Sequence, residues 1–293
     1  MKGAVSTESG NSHPPISLST KICHQLRSAP HGGDMSFQEI SEVVPWLELA
    51  FDQGQDLNGP QYGDEEGIPR VFKSHAWEGH CPKGAKMIVV LRDPADVLVS
   101  FYKFFENWFF EEGTISLDEF ARHFWLARGV PSSRMNNASY FVHLISWFRR
   151  RKEYDNILIV CFEDMKQNLR REVERVARFI STDKHDFTKE EYVRLATERS
   201  TFAYMMKHRG RFDEKLSKSA RNEACGLPRD AGIGSGKLRQ GHVGRGKESL
   251  SPAIRDEIQQ KWREVVEPVT GCATYTDLVD LLHKEREAAA VEP

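Results

Sequence analysis

Arg70-Val71-Phe72-Lys73-Ser74-His75, then Lys86-Met87-Ile88-Val89-Val90-Leu91 running into Arg92-Asp93-Pro94-Ala95-Asp96-Val97-Leu98-Val99-Ser100, is the stretch that decides the fold of this chain. The apolar run over 87–91 has no polar alternation, so it reads as a strand covered on both faces, the mark of a parallel sheet in an α/β protein. Ligands of such sheets sit at the carboxyl ends of the strands. Lys73 and His75 fall at one such end. Arg92 follows the other directly. Ser100, eight positions on, falls in the first turns of the next helix, where backbone amides and the helix dipole favour an anion. Arg92 and Ser100 therefore read as a phosphate clamp.

The rest of the chain fits one large α/β unit. At 293 residues it can bury a substantial core, and 41 basic against 43 acidic residues leave a net charge of −2, which gives no ground for nucleic-acid binding. No apolar run reaches the roughly 18 residues of a membrane span and no charged-then-apolar leader opens the chain, so neither a span nor secretion is expected and a cytoplasmic location is. Cys23, Cys81, Cys161, Cys225 and Cys272 are odd in number and scattered, and read as reduced thiols. His80-Cys81 has no second pair to complete a zinc site, so no metal is expected.

Helix starts punctuate the sequence. Ser36 with Glu39, Ser116 with Glu119, and Thr188 with Glu191 have capping-box spacing; the first two predict helices over 40–49 and 120–126, and the third opens another. Leu169, Val173, Val176, Ala177 and Ile180 recur with a helical period after a predicted strand over 157–162, with Glu174 and Arg178 placed to pair on the surface. Ser251-Pro252 supplies a cap and a first-turn proline for a late helix. The aromatics Phe101, Tyr102, Phe104, Phe105, Trp108, Phe109 and Phe110 cannot all share one helix face. Most read as core, and the remainder, with Trp77, as lining for an apolar pocket.

This arrangement resembles the cytosolic sulfotransferase family, over about 21–282. Lys73-Ser74-His75 is similar to the family's Lys-Thr/Ser-His, and Arg92 with Ser100 to its 3′-phosphate clamp. Ser200-Thr201-Phe202 resembles the segment flanking adenine, and the stretch from Arg239-Gln240-Gly241 to Lys247 resembles the loop that wraps the 3′-phosphate. The resemblance implies a three-layer, P-loop-NTPase-like sulfotransferase fold with a central parallel sheet flanked by helices. It implies a sulfuryl donor, 3′-phosphoadenosine 5′-phosphosulfate (PAPS), and a small hydroxyl- or amine-bearing acceptor. His75 would be the base and Lys73 would stabilise the transferring group. Arg92, Ser100, Arg239, Gln240 and Gly241 would hold the nucleotide's phosphate, with Phe162, Ser200 and Phe202 also in the donor site.

Three departures shape the expectations. The family's opening strand and Pro-Lys-Ser-Gly-Thr-Thr-Trp phosphate loop are not visible: residues 1–13 hold no apolar run, and Pro15-Ile16-Ser17-Leu18-Ser19-Thr20-Lys21 lacks the glycine. The expected division is therefore a divergent or disordered segment over 1–20, a sulfotransferase domain over 21–283 and a frayed tail over 284–293, with the first strand and its loop replaced or lost. Cys161-Phe162-Glu163-Asp164 stands where relatives carry Tyr-Glu-Asp, so the tyrosine's hydroxyl is absent. The family's dimer pattern would fall at Lys247, Ser251, Pro252 and Asp256, and proline there removes an amide donor, so that dimer is not expected.

Between Lys207 and Lys247 eleven basic residues face four acidic ones, with seven glycines from Gly226 to Gly246. This reads either as a solvated loop or, since it ends in the phosphate-loop pattern, as a basic flap over a polyanion. A Walker loop at 241–247 is excluded because Glu248 replaces the magnesium-holding Ser or Thr, which also counts against a nucleotide kinase. The two readings that remain are a PAPS-dependent enzyme and a catalytically impaired relative that binds PAPS, its desulfated product PAP, or a partner.

Overall fold

Four parallel strands, β1 (Gly3–Glu8), β2 (Arg70–Ser74), β3 (Lys86–Leu91) and β4 (Ile157–Cys161), form one sheet in the order β2-β1-β3-β4. They belong to a computed structural model that describes residues 3–8, 18–59, 67–134, 136–212, 215–231 and 246–291. Strand β1 pairs on both sides, from Gly3 opposite Arg70 to Thr7 opposite Ser74, and from Ala4 opposite Lys86 to Glu8 opposite Val90. Of the two expectations, a first strand replaced or lost, the pairing fits the first: a strand is present, in a divergent sequence. Residues 3–8, inside the segment read as divergent or disordered, form a central strand.

The helices are α1 (Leu18–Ser28), α2 (Pro94–Trp108), α3 (Leu117–Phe120), α4 (Tyr140–Arg150), α5 (Phe162–Gln167), α6 (Leu169–Ile180) and α7 (Glu190–Arg199). They continue as α8 (Phe202–Lys207), α9 (Lys215–Ala224), α10 (Gly246–Ser249), α11 (Pro252–Val265), α12 (Glu267–Thr270) and α13 (Tyr275–Val291). The last runs through most of the predicted frayed tail, where Glu285 pairs with Arg151 at 2.7 Å.

Strand β3 shows why its apolar run is continuous. Met87, Val89 and Leu91 enter a core with Leu98, Phe101, Leu144, Trp147, Ile254 and Trp262. Ile88 and Val90 point the other way, into a core with Ile22, Leu26, Val173, Val176, Ala177 and Val193. Alternate side chains thus feed two helical layers, as the two-faced strand requires. Each such buried aliphatic contributes on the order of 1.5–3 kcal/mol.

Local signals fared unevenly. Ser116 and Glu119 form the full capping box, and Ser251 caps α11 by accepting the Ile254 amide. Ser36 and Glu39 do not form one. Ser36 bonds Asp34 instead, and the buried Glu39 accepts from Leu216 N and Ser217 Oγ, so only a 3₁₀ turn, Ile40–Glu42, forms. Thr188 likewise bonds Asp186, leaving α7 to start after Lys189 without a side-chain cap. On α6, Glu174 pairs with Arg170 at 3.0 Å rather than with Arg178.

Candidate functional site

Because the strands are parallel, Glu8, Ser74, Leu91 and Cys161 end along one edge of the sheet. Lys73, Ser74 and His75 are buried at the end of β2. The segment before β2 lies alongside it: Lys73 N–H donates to Pro45 O and Leu47 N–H donates to Lys73 O, both at 2.9 Å. That pairing sets Trp46 against both candidate catalytic residues. The Lys73 ammonium lies 4.3 Å from the Trp46 ring centroid, and the His75 imidazole lies 4.7 Å from it. Glu48 Oε1 accepts the Ser74 hydroxyl at 2.7 Å and the His75 amide at 2.8 Å, while Ser74 Oγ accepts the Ala76 amide at 3.0 Å. Trp46 and Glu48 were not foreseen, since the Ser36–Glu39 spacing put residues 40–49 in a helix, whereas this segment lies alongside β2.

The end of β3 carries the second group. Leu91 opposite Cys161 brings the next residues together, and the Arg92 guanidinium lies 4.6 Å from the Phe162 ring centroid. Phe162 thus keeps an aromatic face against Arg92. Tyr140 donates to Arg92 O at 2.7 Å, and Glu163 Oε1 accepts the Asp93 amide at 3.0 Å. Burial pushes the Glu163 carboxyl above its ordinary range. Asp93 caps α2 by accepting the Ala95 amide. Arg92 reaches Asp96 at 3.3 Å, and Ser100 lies one turn beyond Asp96 on the same side of α2. Asp96 was missed, although its i+4 spacing from Arg92 was a signal.

Arg239, Gln240 and Gly241 lie outside the described residues, but the end of their loop does not. Gly246 N–H donates to Asp96 Oδ1 at 2.7 Å, and Lys247 Nζ lies 3.2 Å from Asp93 Oδ2. A Cβ on Gly246 would stand 2.6 Å from Asp96 Cα, so a glycine lets this backbone lie on the start of α2. Ser200 ends α7, buried, and Thr201 caps α8 by accepting the Tyr204 amide. Phe202 follows, with Lys166 Nζ 5.3 Å from its ring centroid. Of the proposed phosphate-loop candidate, Pro15 to Ser17 lie outside the described residues, and Leu18 to Lys21 form the first turn of α1.

Among the aromatics of α2, Phe101, Tyr102 and Phe104 are buried core, whereas Phe109, just past the helix, is 47 % exposed beneath Arg221. Among the described residues no group of His, Cys, Asp and Glu could hold a metal ion.

A family model described as a sulfotransferase domain matches residues 16–270. Sulfotransferase 1B1 of Canis lupus familiaris is 31 % identical over 156 residues, covering 50 % of this chain and 49 % of that protein. Amine sulfotransferase of Oryctolagus cuniculus is 31 % identical over 159 residues, 53 % of this chain and 48 % of that one. The chain spans about half the length of these curated relatives. Among solved structures, retinol dehydratase with androsterone and inactive cofactor PAP matches with a TM-score of 0.62 at 14 % identity, over 91 % of this chain and 82 % of that one. Mouse sulfotransferase SULT7A1 with PAP matches with a TM-score of 0.57 at 15 % identity, over 90 % and 84 %. At these identities the structural likeness is one of fold.

Proposed function

This chain belongs to the sulfotransferase domain family, and we propose that it transfers a sulfuryl group from PAPS to a hydroxyl or amine of a small hydrophobic acceptor. The observation that carries this reading is the sheet's carboxyl edge. Lys73 and His75 end β2, Arg92 follows β3, and β1 runs between them. Strands lie about 4.8 Å apart, which leaves about 10 Å between a proton acceptor and a phosphate clamp. The molecules bound in the solved retinol dehydratase structures, PAP with androsterone or retinol, are consistent with that donor and with an apolar acceptor.

The residues present suit the donor. Arg92, held by Asp96 and the Phe162 face, offers a planar cation to a phosphate, and Gly246 brings a second backbone segment against the same helix start. When bound, the donor supplies the sulfuryl group. A neutral imidazole would suit His75 to take the acceptor's proton as the acceptor's oxygen or nitrogen bonds to sulfur and the sulfur–oxygen bond to the departing PAP breaks. Lys73, steadied on the Trp46 ring, offsets negative charge on the group in transit. A cytoplasmic setting belongs to the same proposal. No helix among the described residues is long and apolar enough to cross a membrane.

Calorimetric titration with PAP tests the reading. Binding by wild type, weakened about 100-fold or more in Arg92→Ala, is the expected result, and no binding by a folded wild-type sample would overturn it. His75→Ala should keep PAP affinity within about twofold while turnover with a responsive acceptor falls by 10² to 10⁴.

A further inference from the structure

Lys21 is a lysine in an unusual place. It lies in the first turn of α1, which follows the connection from the carboxyl end of central strand β1. Its side chain is fully buried, and its Nζ has no hydrogen-bond partner among the described residues. Two aromatic faces flank the amine. The Phe212 ring centroid is 3.9 Å away and that of Tyr204 4.9 Å away. Tyr204 belongs to α8, whose capping segment Ser200-Thr201-Phe202 is part of the proposed donor site. Within it Ser200 Oγ is likewise buried without a partner. Among the described residues the charged group acting on Lys21 is a cation, Arg199 at the end of α7, which repels it; His208, just past α8, is itself held below its ordinary range by burial and by the surrounding cations, Lys21 and Arg199 among them.

A buried amine with no acceptor is costly, and in a lysine the cost is met by giving up the proton. Burial first, then Arg199, lowers the Lys21 pKa to about 7. An anion arriving beside α1 would reverse that balance by supplying the missing acceptor and opposing the Arg199 charge. The sequence supplies no lysine at the second position of a Pro-Lys-Ser-Gly loop, so a cation from the first turn of α1 is available for the part that loop lysine would play.

Resting on the reading of this edge as a nucleotide donor site, we propose that Lys21 is a donor-binding residue. Its amine takes up a proton as a phosphate-bearing nucleotide enters and then pairs with that nucleotide. It is the buried counter-charge on the α1 side, opposite Arg92 on the α2 side. Because the charge arrives with the ligand, the pocket carries less self-repulsion before binding than a permanent cation would impose beside Arg199.

The test is calorimetry of PAP binding to the full chain at about pH 8 in phosphate and in Tris, whose different ionisation enthalpies reveal proton uptake. A group with a free pKa of about 7 and a raised bound pKa takes up close to one proton at that pH. The nucleotide's phosphates, with second pKa values of about 6, take up little. Uptake approaching one proton in wild type is expected, falling to near zero in Lys21→Met, whose PAP affinity should drop about tenfold or more. Lys21→Met is close to volume-conserving, so it should fold, and a melting curve checks this. Should it fail to fold, the wild-type measurement stands alone, since absence of proton uptake by itself overturns the proposal. So does unchanged affinity with undiminished uptake in a folded Lys21→Met, while Arg92→Ala still loses binding; in that case the donor-site reading survives and Lys21 is only structural. Failure of wild type to bind PAP overturns both.

Discussion

Glu48 accepts two hydrogen bonds through one carboxylate oxygen, and both fix the residues that hold the proposed base. Glu48 is itself exposed, but Glu48→Ala leaves the buried Ser74 hydroxyl and His75 amide without this acceptor, at a cost of about 1 kcal/mol. The expected outcome is a kcat at least about tenfold lower with PAP affinity unchanged. Glu48→Gln keeps an acceptor oxygen and should restore most of kcat, a rescue that a purely electrostatic role would not show. Lys21 makes a second prediction at this scale, on stability. Its folded pKa, about 7, lies below the ordinary 10.5, so between these values the unfolded chain binds more protons and stability rises with pH. Wild type should gain up to about 1.4 kcal/mol per pH unit across that window relative to Lys21→Met, measured by denaturant unfolding at pH 7 and pH 9. Of these residues the sequence exposed His75 and Arg92, whose neighbours form local patterns. It hid Glu48, whose role depends on contacts with β2 that no local spacing encodes, and it showed Lys21 only as the end of the loop candidate, without its burial against α8.

At the scale of elements, α10 meets α2 through one glycine. Gly246→Ala places a methyl group 2.6 Å from the Asp96 Cα and Oδ1, which are a backbone atom and a carboxylate already bonded to Arg92 and to the Gly246 amide. Expected is a loss of PAP affinity of about tenfold together with a lower melting temperature, because the methyl meets backbone in a buried junction flanked by the core residues Ala95 and Leu250; unchanged affinity would mean the loop does not reach the donor. Helix α4 carries a different sensitivity. His143 is wholly buried and accepts from Trp147 Nε1 at 3.2 Å, and burial pushes its pKa down to about 3 from the ordinary 6.5. Its contribution is complete above about pH 6.5 and is lost as pH falls towards 3, because only the unfolded state is protonated in that window. His143→Leu should therefore lose stability less steeply than wild type between pH 6.5 and 4, whatever its absolute stability. The helix boundaries themselves were only partly legible. Ser116 and Glu119 had no competing partner and capped α3 as spaced. Glu39 was drawn into a buried bond with α9, and Thr188 into a bond with Asp186, so the same pattern gave no cap.

For the whole molecule, the sheet's layering was legible where one strand carries enough apolar surface to serve both faces, as β3 does. Strand β1 was illegible because its place is set by pairing: Gly3-Ala4-Val5-Ser6-Thr7-Glu8 has little apolar bulk, and two neighbouring strands supply the ladder that defines it. The C-terminal helix is tied in by charge as well. His283 and Arg286 on α13 meet the buried Asp164, at 2.8 and 3.5 Å, and Arg286 lies 3.6 Å from the buried Glu172 of α6. The strand is the more consequential of the two. Without it the facing edges of β2 and β3 would lose every ladder bond at the centre of the sheet, and the two helical layers would lose the floor between them. Deletion of residues 1–8 should therefore abolish cooperative thermal unfolding and PAP binding together. Restoring those residues with Val5→Thr, which keeps the backbone and a β-branched side chain, should recover both. A truncated chain that still melted cooperatively would show that the other three strands close the sheet without β1, and the site would then have to be rebuilt around β2 and β3 as direct neighbours.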